Sequence, residues 1–307
     1  MEKTSLPIKY KNNKRDVLFN NNNLLRNVGD QMKEIKHGIY KNIDIEEYHK
    51  SQGISSSGIN LILKSPAKFY YQYLSGLAKK EDTKATLYGS AIHLLALEPE
   101  LFNKKYIVLP EGLDRRTKEG KALYESALLH AELNNQKLLK CEDFKEISSI
   151  SYAIRKNKVF IKLIESGGCI EDSLYWQDPN GSLLRARPDF YNDFIVVDIK
   201  TTESAAEEDF QRSIFNYNYH IQAAMQLDGL EALDGKKRTF CHLVVEKEQP
   251  HLTACYMLDQ TAIDIGRAKY KEGSFLYKQC LELDDWPGYP ETIQTISLPD
   301  WYLRKVA

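Results

Sequence analysis

Cysteine is scarce and scattered in this chain. Its 307 residues hold five, at positions 141, 169, 241, 255 and 280, and no two form a Cys-x-x-Cys pair. That spacing offers no tight iron–sulfur or structural-zinc signature, and it fits reduced, buried thiols in a cytoplasmic protein better than a disulfide scaffold. Long apolar runs are also missing. None approaches the roughly eighteen residues that suggest a membrane span, and the N-terminus MEKTSLPIKYKNNKRD lacks the apolar stretch of a signal peptide. No membrane partner is expected. Neither sign of charge predominates: 42 Lys and Arg stand against 43 Asp and Glu, a formal net charge of -1. That balance argues against non-specific cationic coating of nucleic acid, yet it leaves room for a positive channel beside acidic metal ligands. No internal repeat is visible.

What is present is enough apolar material, 42% of residues, for a sizeable core. Residues 1–36 read as a polar N-terminal extension, asparagine-rich at Asn20 to Asn23. Residues 37–285 carry the ordered pattern, and 286–307 read as a peripheral tail. Within the central span, Ser65-Pro66 is an N-cap and first helical residue for AKFYYQYLSGL, and further helices are predicted over 84–97, 117–133 and 148–166. Beyond Gly167-Gly168 the period changes. CIEDSLYW, SLLRARPDF and FIVVDIKT read as three consecutive strands, with Phe194 to Val197 as a buried central strand. Helices over 205–214 and 217–232, two more strands in RTFCHLVVEKEQPHLTACYML and a helix over 260–280 complete an α/β core.

The strongest local chemistry is Asp189, Asp198 and Lys200 in RPDFYNDFIVVDIK. Asp198 and Lys200 share strand parity and interrupt an apolar run, where lone charges need partners. Two carboxylates can supply oxygen ligands for Mg²⁺, and a nearby lysine can stabilise developing charge or orient a water, which suits phosphodiester hydrolysis. A surface hairpin bearing an Asp-Lys pair is the alternative. Arg185 and Arg187 share the parity of Asp189 and could contact DNA phosphate, with peripheral salt bridges as the competing role.

The segment Pro188-Asp189 followed by Asp198-Ile199-Lys200 resembles the PD-(D/E)XK nuclease pattern. More closely, the chain resembles the RecE-like exonucleases of phages and prophages over residues 38–285, through GIYKNIDIEEYHK, SSSGIN, SPAKFY, GSAIHLLALEPE, RPDF, DIKTT, YHIQAAMQLDG and VVEKEQPH. The resemblance implies a restriction-endonuclease-like fold with a central mixed β-sheet flanked by helices. It gives His93, by itself an isolated helical histidine, a role as metal ligand with Asp189 and Asp198. It makes Gln222 a residue that orients substrate, water or Lys200, and Glu171 an acidic supporting group. Related nucleases often place tyrosine four residues after that glutamine, where this chain has Gln226, a departure that removes a possible aromatic contact to a base.

The implied activity is Mg²⁺-dependent 5′-to-3′ degradation of linear double-stranded DNA, leaving 3′ single-stranded tails, with one or two ions and Mn²⁺ as a possible substitute. The implied partners are a single-strand annealing protein and further copies of the chain in a ring, in the cytoplasm of a bacterial host. A nuclease of another polarity, an endonuclease and a non-catalytic recombination scaffold are the alternatives.

Overall fold

The computed structural model describes residues 36–78, 83–299 and 302–304. The polar extension expected over 1–36 therefore lies, up to residue 35, outside the described residues. In chain order the strands are Gly38–Tyr40 (β1), Tyr106–Val108 (β2), Lys137–Leu139 (β3), Cys169–Ile170 (β4), Ser173–Gln177 (β5), Leu183–Ala186 (β6), Phe190–Tyr191 (β7), Ile195–Thr202 (β8), Thr239–Glu246 (β9) and Thr253–Met257 (β10). The longer helices are Ser56–Lys64 (α1), Lys84–Leu97 (α2), Lys118–Leu133 (α3), Cys141–Lys156 (α4), Lys158–Glu165 (α5), Glu207–Tyr217 (α6), Tyr219–Asp234 (α7) and Gln260–Leu283 (α8). Several begin where a short polar side chain accepts an otherwise orphaned N–H: Ser55 from Gly58, Thr83 from Thr86, Thr117 from Gly120 and Asp259 from Ala262.

Among the described residues the main sheet has the order β10-β9-β8-β7-β4, with β8 and β9 parallel and the remaining pairs antiparallel. A second sheet, β1-β5-β6, is antiparallel, and β2 pairs with β3 in parallel. Alternation along β8 divides the core. Val196 packs with residues of α1, α7 and α8, while Val197 and Ile199 pack with residues of α2 and α4. The result is an α/β fold whose central mixed sheet has helices on both faces, the expected nuclease-like core. No helix of the described residues is long and apolar enough to cross a membrane.

The interhelical contact between α7 and α8 depends on Gly266. A Cβ there would fall 2.1 Å from the His220 carbonyl oxygen, so only glycine permits the approach.

Four sequence expectations change. The stretch 148–166 is not one helix: Asn157 ends α4 and caps α5, accepting from the amides of Val159 and Phe160. Phe194 is 78% exposed, so the buried part of the central strand starts at Val196. The tail is partly anchored, because Trp286 stacks on Phe69 at 5.8 Å and Pro287 accepts from the Ala67 amide. Most important, CIEDSLYW and SLLRARPDF each divide between two sheets. β4 and β7 pair in the main sheet, and β5 and β6 pair in the smaller one. The breaks fall at Glu171-Asp172 and at Arg187-Pro188-Asp189, where proline withdraws a ladder donor. They face each other, the Glu171 amide donating to the Asp189 carbonyl at 3.3 Å.

Candidate active site

Those two facing breaks place the charged groups. Glu171 has φ 53°, a left-handed conformation that costs a non-glycine residue roughly 1–2 kcal/mol. Arg187 holds its carboxylate, donating from Nε to Oε2 at 2.7 Å, and also donates to the Ile43 carbonyl at 2.9 Å. Asp189 is anchored from the neighbouring strand, its Oδ2 accepting from the Ile199 amide at 2.6 Å. Its other oxygen stands 3.3 Å from Nδ1 of His93, which α2 carries in from the opposite side.

His93, Glu171 and Asp189 thus offer ligand atoms that all lie within 4.8 Å of one another. One imidazole and two carboxylates form a donor set suited to a divalent cation with metal–ligand bonds of about 2.0–2.2 Å, and a small side-chain closure would reach it. The electrostatics fit as well. Burial and the charge of Asp189 push the Glu171 carboxyl up to about 7, against the opposing pull of Arg187 and His93. Burial pulls the His93 imidazole towards neutrality, but Asp189, with Glu171 and Asp198 behind it, outweighs this and raises it to about 9. Crowded acids sharing a proton-binding imidazole make a site where a cation would be welcome.

Beside this cluster lies a second constellation built on β8. Asp198 is 1% exposed. Its Oδ2 is 2.7 Å from Lys200 Nζ, and its Oδ1 accepts from Gln222 Nε2 at 2.7 Å. Lys200 donates in turn to Gln222 Oε1 at 3.1 Å, closing a three-residue ring. Burial opposes ionisation of both Asp198 and Lys200, yet their mutual attraction, helped by His242 and Asp189, lowers the acid and raises the base. Lys200 is therefore held as a cation.

The structure brings together Asp189, His93, Glu171, Asp198, Lys200 and Gln222, but it sorts them differently from the sequence expectation. The ligand atoms that converge among the described residues are those of His93, Glu171 and Asp189, while Asp198 stands beside them with Oδ2 2.7 Å from Lys200 Nζ and Oδ1 accepting from Gln222. Glu171, expected only as support, takes the third position. Arg187 borders the cluster as a half-buried partner of Glu171.

Arg185 is corrected outright. The strand ends at Ala186, so parity with Asp189 is lost, and Arg185 is 5% exposed. Its guanidinium donates to the Ser51 carbonyl at 2.6 Å and to the carbonyls of Tyr48 and His49. It ties down the 48–51 segment and has no access to phosphate. Gln226 is also buried, 2% exposed, so that position faces the protein interior and not a substrate groove.

One residue escaped the sequence reading. His242 on β9 lies directly opposite Asp198 in the parallel register, with Nδ1 3.3 Å from Oδ2. It is fully buried and walled by Phe210 and Phe240 at 5.4 and 4.9 Å. A polar residue inside the apolar run FCHLVV was the available signal.

A family model described as a PDDEXK-like domain of unknown function (DUF3799) matches residues 55–299. No curated protein matches the sequence. Among solved structures, that of a "Putative exonuclease" from Eubacterium rectale is similar with a TM-score of 0.58 and 14% identity, over 87% of this chain and 98% of that one. A protein called SSO0001 aligns at a TM-score of 0.31 and 12% identity, over 87% of each chain. An alkaline exonuclease from Laribacter hongkongensis aligns at 0.27 and 14%, over 64% of this chain and 96% of that one. The first of these shows a shared fold.

Proposed function

The chain belongs to the family of PDDEXK-like domains designated DUF3799, and from that premise we propose that it is a divalent-metal-dependent deoxyribonuclease acting on linear double-stranded DNA. The observation that carries this reading is the convergence of His93, Glu171 and Asp189 on one point beside the Asp198–Lys200–Gln222 ring. His93, Glu171 and Asp189 would hold the ion, Mg²⁺ or Mn²⁺. When bound, such an ion supplies Lewis-acid charge to the scissile phosphate and acidifies water. Lys200 is kept protonated by Asp198 and aimed by Gln222, so it acts as a fixed positive charge for the phosphate oxygens and not as a base. Asp198 orients Lys200, and Arg187 neutralises Glu171 while leaving its second oxygen open.

The sequence resemblance to RecE-like exonucleases supports the finer reading: 5′-to-3′ exonuclease action that leaves 3′ tails for recombination, in company with a single-strand annealing protein and as a ring-shaped homo-oligomer. The exonuclease description carried by the Eubacterium rectale protein of the same fold agrees with an end-directed activity.

The test is a time course on linear duplex DNA labelled separately at its two ends, with Mg²⁺, Mn²⁺, EDTA and Asp198→Ala controls. Release from 5′ ends that requires metal and Asp198 is the expected result. Release only from 3′ ends would overturn the polarity. Cutting of closed circles would make it an endonuclease, and metal-independent binding without cleavage would make it a scaffold.

A further inference from the structure

An aromatic column runs outward from the active-site ring. At its inner end His242 faces Asp198, and Tyr219 lies 5.6 Å from His242 and 6.2 Å from Phe210. Lys200 Nζ sits over the Tyr219 ring, 4.7 Å from its centroid. Tyr217 then stacks on Tyr219, with centroids 5.5 Å apart and planes inclined by 26°. The column ends there, and Tyr217 is 64% exposed.

The stacking of these two tyrosines depends on a break in the chain. Residues two apart on a continuous helix point in different directions. Asn218 between them is left-handed, φ 56°, and it ends α6 and begins α7. That one residue turns the Tyr217 and Tyr219 rings onto each other, and the wall formed by Phe210 and His242 fixes the inner one. A single exposed aromatic is ordinary on a protein surface. Here the exposed ring is the outer member of a stack whose inner member touches the lysine assigned to the scissile phosphate.

We propose that Tyr217 is a base-stacking platform, on which the nucleobase flanking the scissile phosphate rests while Lys200 holds that phosphate. The inference rests on the deoxyribonuclease reading and deepens it by assigning a positioning residue for the substrate. Two successive contacts, of 4.7 and 5.5 Å, lead from Lys200 Nζ to the Tyr217 ring. Stacking on an aromatic ring is tolerant of sequence, because every base has a π face, so the platform suits an enzyme that degrades DNA of any sequence. Its hydroxyl is not needed for this role, since the ring face makes the contact.

The experiment compares wild type, Tyr217→Ala and Tyr217→Phe on short duplexes whose terminal nucleotides are either normal or abasic. Steady-state cleavage is measured with Mg²⁺, and equilibrium binding is measured by fluorescence anisotropy in EDTA. On normal DNA, Tyr217→Ala is expected to raise KM and Kd about tenfold, with kcat within about twofold of wild type. Tyr217→Phe should match wild type, and on abasic DNA all three proteins should bind alike. Equal Kd for wild type and Tyr217→Ala on normal DNA overturns the platform, as does the same loss on abasic DNA or a failure of Phe to restore binding. Absence of cleavage by wild type sinks the nuclease reading, and the anisotropy ratios still decide the platform.

Discussion

Glu171 shows how much a single residue can be asked to do. Its backbone is left-handed, where glycine would be easier, and its carboxylate is the third donor of the potential metal group. Substituting Glu171→Gln preserves shape and removes the charged oxygen. The expected result is a loss of about 100-fold in apparent affinity for Mn²⁺, measured by calorimetry. Unchanged affinity would remove Glu171 from the metal group. His242 makes a different prediction because it acts through Asp198. Replacing it by Phe fits an already aromatic wall of Phe210 and Phe240. The His242→Phe variant should lose about 10–100-fold in kcat while keeping metal affinity, since only the support of the Asp198–Lys200 ring is withdrawn. A parallel loss of metal affinity would place His242 nearer the ion. Asp198 and Lys200 stood out in the sequence as charges interrupting an apolar strand, and Asp189 through the Pro188-Asp189 pair upstream of it. His242 did not, because its meaning depends on which strand lies beside β8, and strand pairing is not written locally. Arg185 misled for the same kind of reason, since parity predicts facing only while the strand continues.

At the level of elements, the periodic stretches were readable and the breaks between them were not. The helices over 84–97 and 117–133 and the strand carrying Asp198 followed from apolar spacing and caps. The division of CIEDSLYW and SLLRARPDF between two sheets did not, although Pro188 marked one of the two breaks, because the left-handed turn at Glu171 carries no glycine to announce it. Asn157 is a comparable case. It was hidden inside an amphipathic run, yet it caps α5 twice and donates from Nδ2 to Thr253 Oγ1 at 3.0 Å, linking that helix to β10. Asn157→Ala should cost about 1–2 kcal/mol in urea denaturation, the range for an N-cap with one added hydrogen bond. Cleavage at low temperature should be unaffected, because the site lies on other elements. A neutral effect on stability would mean that Lys158 to Glu165 holds its place by packing alone.

For the molecule as a whole, the potential metal group joins segments that are distant in sequence: α2 with His93, the turn at Glu171 and the start of β7 after Asp189. Binding an ion to all three stabilises the folded state by linkage, about 2.7 kcal/mol when the ion is present at 100 times its Kd. The size of that effect depends on pH in a definable direction. In the metal-free protein the imidazole of His93 is raised from 6.5 to about 9, so its pairing with Asp189 is fully present below pH 6.5 and is lost as pH rises through 9. Glu171 is raised from 4.5 to about 7, so the folded state is favoured by its proton at low pH, and that advantage is lost as pH rises through 7. Both shifts make the metal-free fold less stable on going from pH 6 to pH 9. A metal needs a neutral imidazole and an ionised carboxylate, so it must displace the same protons, and its affinity climbs through the same window. Thermal unfolding at pH 6 and at pH 9, with and without Mn²⁺, should therefore show a larger metal-induced rise in Tm at the higher pH, with calorimetry detecting proton release near pH 7.5. His93→Ala should flatten this dependence. A metal effect equal at both pH values, or larger at pH 6, would separate metal binding from His93 and Glu171 and move the ion to another part of the protein.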